Sequence, residues 1–238
     1  MVRPLHKRFG FINHVLERRY RYLLYALVLF LVFPSFFFTT AYHREVTYAC
    51  LSLVLVMGVY AVHTTLTNMY MGFGMSALVI VINAGGLFST YPTVQFYVGF
   101  LFYMLFYSYV AIHLIRLVLR TANVTIGVLF AAINVYLLIG IVGGFGFMLI
   151  ENAFPGSLIN LKLESLTTDP SHFIYFSFMT MCTVGFGDIT PATAPAEAVA
   201  VLLAVIGPVY LTMLVAVLVG RFIAQRFHTE LERRERES

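Results

Sequence analysis

The chain has 238 residues, 60% of them hydrophobic and only 11% charged, against about 25% charged in soluble domains. A soluble core cannot hide that much apolar side chain, so the composition describes an integral membrane protein. Two cysteines, Cys50 and Cys182, exclude a disulfide scaffold, and charge confined to a few segments argues against nucleic-acid binding despite the basic balance of 15 Lys and Arg over 11 Asp and Glu. No catalytic triad, zinc-ligand spacing or phosphate loop occurs, which disfavours an enzyme.

Residues 1–21, with Arg18, Arg19 and Arg21, read as a basic N-terminal segment. The charge-free run at 22–42 is too long for the apolar region of a signal peptide and lacks a small-x-small cleavage site after it. It is expected to be a retained first span. From Glu45 to Arg116 no residue in between is charged, and so long a run must be cut, because one crossing needs roughly 20 residues. The first expected break runs from His63 through Thr64, Thr65, Thr67 and Asn68 to Gly72 and Gly74. The second runs from Asn83 through Gly85, Gly86, Ser89 and Thr90 to Pro92. Three spans result, and the runs at 125–150 and 196–220 complete an all-α fold of six.

Even parity puts both termini on one side. The termini and the 116–124 connection then hold every Lys and Arg except Arg44 and Lys162, so the positive-inside rule predicts cytoplasmic termini in the cell membrane. Ahead of the last span, Asp169 suits an N-cap and Pro170 a first helical position. Ser171 to Met181 is apolar but too short to cross, which suggests a re-entrant element.

Met181 and Cys182 are followed by Thr183, Val184, Gly185, Phe186, Gly187 and Asp188. This run resembles the TVGYGD signature of the potassium-channel family, with Phe186 where tyrosine is commonest. Rings of carbonyl oxygens there replace the water shell of a potassium ion. The resemblance implies that Thr183, Val184, Gly185 and Phe186 supply carbonyls, and that Val184 and Phe186 turn their side chains back into the surrounding helices. Gly185 and Gly187 can take the positive φ that aims such a strand. One chain supplies one strand, so a fourfold homotetramer in lipid is implied, with potassium as permeant ion and no cofactor. The similarity extends over about 125–228, through Val135–Ser157 and the GPVYLTMLVAVLVG run, to small bacterial channels of the ion-channel superfamily. It implies a four-span scaffold at 22–120, a pore domain at 124–222 with pore helix 170–181 and filter 183–188, and a helical tail at 223–238.

Relatives tie the filter aspartate to an aromatic donor and an acid. Here the matching positions are Tyr175 and Met179, so a single prop from Tyr175 to Asp188 is expected, with Phe176 only packing. Glu151 is expected to accept N–H groups from the loop after Asp188, and Cys182 to support the filter from its base. Gly207 and Pro208 are expected to kink the last span. Below them Leu211, Val215, Val219 and Ile223 repeat every four residues and would form apolar gate rings. Reading back from Leu119 in threes gives Arg116, His113, Val110 and Tyr107, a single arginine where a voltage sensor needs several charges. Strong voltage gating is therefore not expected. The short tail leaves no room for a cytoplasmic regulatory domain and reads as a continuing helix. His172 and His228 are the candidate pH-sensing histidines. Loop acids Glu45, Glu151, Glu164, Asp169, Asp188 and Glu197 give the outer side a net negative charge. The alternatives are a weakly selective cation channel and a transporter-type pore subunit, although the latter carries four pore repeats in one chain.

Overall fold

The computed structural model describes residues 4–37, 43–63, 70, 72–74, 77, 92–121, 124–161 and 170–237. The break expected at Asn83–Pro92, up to residue 91, most of the expected third span, and the loop holding Lys162, Glu164 and Asp169 lie outside the described residues. So do the side chains of Arg44, Glu45 and His228.

Helix α1 spans Pro4–Val32 and gives way to a 3₁₀ turn at Phe33–Phe37. The boundary expected at residue 22 is thus not a structural one: nothing in the basic segment breaks a helix, and the turn comes at Pro34, which lacks a backbone donor. Helix α2 spans His43–Val62. It closes with the His63 N–H on the Val59 carbonyl at 3.1 Å, while the Arg19 guanidinium of α1 donates to the His63 carbonyl and lies over the Tyr60 ring, 5.4 Å from its centroid. A cation at that end complements the helix dipole. The polar break after His63 is shorter than the sequence suggested, since Tyr70 and Gly72–Gly74 are already helical.

Helix α3, Pro92–Arg120, starts on a proline, whose missing donor costs nothing at a first turn. Residues 121–125 alone join it to α4, Ile126–Ala153. Thr125 caps α4 by accepting the Val128 N–H at 3.4 Å. So short a connection folds α3 back along α4, and an aromatic layer fills the seam. The Phe145 ring stacks on Tyr107 at 6.0 Å and lies 5.4 Å from Phe100. Tyr107 then donates to the Leu51 carbonyl of α2 at 2.9 Å, and α1 is pinned to α4 by Asn134, whose amide donates to the Tyr20 carbonyl at 2.7 Å.

After α4 come β1 at Leu158–Ile159, α5 at Ser171–Met181, β2 at Thr190–Pro191 and α6 at Ala194–Glu237. The two short strands pair antiparallel, Leu158 with Pro191 and Ile159 with Thr190, a pairing the sequence did not suggest. Among the described residues four helical stretches are long and apolar enough to cross a membrane: 17–36, 98–120, 126–153 and 194–224, with Val46–Val62 apolar but shorter. The α4 stretch is 56% buried and the α6 stretch 11%, so α4 is the hub of the chain and α6 lies along its edge.

Candidate functional site

Helix α5 wedges between α4 and α6 because small residues make room for it. On α4, a β-carbon at Gly144 would fall 2.7 Å from the Ile174 Cα, and one at Gly143 would meet Ser177 and Leu203. The Ser177 hydroxyl donates to the Gly140 carbonyl at 2.7 Å, and Phe147 packs on Phe176 with centroids 4.7 Å apart. Phe176 is therefore a packing residue. On α6, Gly207 faces the last turn of α5, where an added β-carbon would lie 2.8 Å from the Met181 Cγ and 3.0 Å from its carbonyl carbon. Gly207, read from the sequence as a hinge, is occupied with close packing.

The loop leaves α5 in an unusual backbone. Thr183, Gly185 and Gly187 have φ of 59°, 56° and 75°, whereas Val184 and Phe186 are not left-handed. Left-handed residues at every second position turn successive peptide planes the same way. The donors point back to α5: the Val184 and Gly185 N–H groups both reach the Met179 carbonyl, at 2.9 and 3.1 Å, and the Thr183 N–H reaches the Thr180 carbonyl at 3.0 Å. No hydrogen bond between described residues ends on the carbonyls of 183–187. The left-handed threonine is a departure from expectation, because a β-branched residue resists that region. Met179, where the sequence offered only a missing acid, contributes through its backbone.

Residues 182–188 are exposed in this chain. Val184 is 46% and Phe186 69% accessible, so this chain alone does not bury them. The base of the loop is held by Cys182, whose sulfur is 3.2 Å from the Tyr136 hydroxyl. Tyr136 in turn stacks on Tyr210 of α6 at 6.1 Å, and Tyr210 donates to the Ala132 carbonyl at 2.7 Å.

Beyond the strand, the Tyr175 hydroxyl donates to Asp188 Oδ2 at 2.7 Å. That hydrogen bond, assisted by backbone N–H groups, holds the Asp188 carboxyl below the usual carboxylate range against its desolvation. A depressed carboxylate keeps its contact above the usual range and loses it only as pH falls through the lower folded value.

Glu151 does not reach the loop after Asp188. Its carboxylate accepts the N–H groups of Gly156 and Leu158, both at 2.8 Å, so it braces the turn immediately after its own helix. The connection to the loop is one step removed. Ser157 is fully buried; its carbonyl accepts the Ala192 N–H at 2.8 Å and its hydroxyl accepts from Thr193 at 2.8 Å. Ser157 and Thr193 were not singled out in the sequence, and nothing in their local pattern marks them.

Helix α6 runs through Pro208 without interruption. Leu211, Val215, Val219 and Ile223 are 43, 59, 50 and 56% accessible, an apolar stripe uncovered by this chain. Residues 124–224 match the family model described as Ion channel. The match covers α4, α5, the loop and most of α6, and the apolar helices make the chain a multi-pass all-α membrane protein. No curated protein and no solved structure matches the chain.

Proposed function

We propose that the chain forms a potassium-selective channel in which Thr183–Gly187 is the selectivity filter and four copies surround one axis. The observation that carries this reading is the alternating backbone of 183–187, with its first donors turned back onto Met179 and Thr180 and no described hydrogen bond ending on its carbonyls. A bare potassium ion needs such a ladder of oxygens, and one strand offers only one side of each ring. The exposed side chains of Val184 and Phe186 and the exposed stripe of α6 are surfaces that further copies would cover. In the assembly, Leu211, Val215, Val219 and Ile223 line the pore beyond the filter, where a narrow apolar ring stops ions by dewetting. In this reading Pro208, whose ring crowds the preceding turn, is the point at which α6 bends in the assembly.

Six spans with cytoplasmic termini best accommodate the charge distribution. Helix α3 carries Arg116 and Arg120 at its exposed end and buried Val110 and Tyr107 above them, a pattern suited to a scaffold rather than a charge-moving sensor. Purified protein in planar bilayers with potassium and sodium on opposite sides tests both points. The expected reversal potential lies close to the potassium equilibrium value, and conductance changes little with voltage. Equal permeability to both ions would instead make this a general cation channel.

Tyr175 is the outer prop of the filter in this reading. Tyr175→Phe removes the hydrogen bond that holds the Asp188 carboxyl below its usual range, so its pKa rises toward that range. Block by external acid is then expected at a higher pH than in the wild type, together with faster current decay. An unchanged acid titration and unchanged decay would reduce Tyr175 to a packing residue.

A further inference from the structure

Arg221 of α6 reaches across to the C-terminal end of α3. Its Nη1 donates to the Val118 carbonyl at 2.6 Å and to the Thr121 carbonyl, and its Nη2 donates to the Leu119 carbonyl at 2.7 Å. The last carbonyls of a helix have no partner within it, and they carry the negative end of its dipole. A planar guanidinium holds its donors in a fixed fork and reaches three carbonyls from two nitrogens, a spread that the single nitrogen of an ammonium does not match.

The direction of this contact matters. Residues 219 and 223 are one helical turn apart on a single face, and 221 lies about 200° around the helix from 219. Val219 and Ile223 are exposed, at 50 and 56%, whereas Arg221 is partly buried toward α3. Helix α3 is itself held in place by the five-residue connection to α4 and by the aromatic layer around Phe145. A pull on Arg221 therefore draws the Val219 and Ile223 face away from whatever it confronts.

We propose that Arg221 is a positioning residue of the pore, a latch that holds the lower half of α6 against α3 and so favours the conducting arrangement. The proposal rests on the channel reading above, in which Val219 and Ile223 face the axis. Charge-assisted hydrogen bonds are individually strong enough that Arg221→Gln is expected to lower open probability by about tenfold or more. Unitary conductance and reversal potential should stay at wild-type values, because the filter is untouched. Arg221→Lys keeps the charge but not the fork and is expected to fall between the two.

An unchanged open probability in Arg221→Gln overturns the latch, and so does a loss of current accompanied by altered selectivity, which would mean general damage to the pore. A readout independent of current comes from a spin label at Phe227→Cys, in a background with both native cysteines replaced, read as the distance between copies by pulsed dipolar spectroscopy. The distance is expected to shorten in Arg221→Lys relative to the parent. No change in it would overturn the latch even if Arg221→Gln fails to assemble. If the wild type carries no current at all, the channel reading fails and the latch is judged on this distance alone.

Discussion

Gly185→Ala is expected to abolish potassium selectivity, and with it most of the current. The reason is conformational rather than steric: a β-carbon at Gly185 would meet nothing within 4 Å, but the residue sits at φ 56°, a region that costs an ordinary L-residue about 1–2 kcal/mol. Relaxing toward a right-handed φ would rotate the neighbouring peptide planes, breaking the pair of bonds that Val184 and Gly185 make to the Met179 carbonyl at 2.9 and 3.1 Å. Every copy in an assembly would carry the same fault. The measurement is the reversal potential in mixed potassium and sodium; wild-type preference for potassium in the alanine variant would remove Gly185 from the filter.

Gly207→Ala is expected to be at least as damaging, for a different reason. Here the backbone is helical and tolerates alanine, but the new methyl would press on the main chain of Met181, with the carbonyl carbon 3.0 Å away. Overpacking of this kind costs about 1–3 kcal/mol, and a clash with backbone is harder to relieve than one with a flexible side chain. The displaced atoms lie two residues before Thr183, so the error passes straight into the loop. Reduced assembly and lost conductance are expected. A pure hinge makes the opposite forecast, normal unitary conductance and selectivity with altered open probability, and that result would return Gly207 to the role its sequence position first suggested.

The two glycines illustrate what the sequence carries. Gly185 and Gly187 were legible because a motif of six residues in order fixes a backbone, and backbone requirements are local. The Tyr175 to Asp188 contact was legible through the resemblance, because the matching position on the short helix carries an aromatic donor. Gly207 was visible as a residue that matters, but a glycine that permits bending and a glycine that permits close approach look identical until the neighbour is known. Glu151 was assigned to the wrong loop: its N–H partners lie five and seven residues ahead, nearer than the loop expected for it. The left-handed backbone of Thr183 was not foreseen because propensity argues against it, and a β-branched residue adopts one only where a surrounding framework overrules its preference. Among the peripheral helices the charge pattern located apolar stretches well but not helix limits, because a basic amphipathic segment continues a helix as readily as an apolar one does. Arg19 and Arg221, read only as positive charge beside a membrane, turn out to be spent on the carbonyl ends of neighbouring helices.

The five residues between α3 and α4 have a consequence for what holds the peripheral helices in place. In water, the aromatic seam around Phe145 would be a strong adhesive, but hydrocarbon is as apolar as the seam itself, so burial there yields little beyond shape fit. A short tether compensates by keeping the two helices side by side at high local concentration whatever their affinity. Helix α1 has no such tether to α4, being separated from it by the whole of α2 and α3. Its attachment therefore leans on the bond from the Asn134 amide to the Tyr20 carbonyl, one amide left without its partner if α1 drifts into the lipid. Loss of that bond leaves a polar group in oil, a cost that returns α1 to the same place on the bundle.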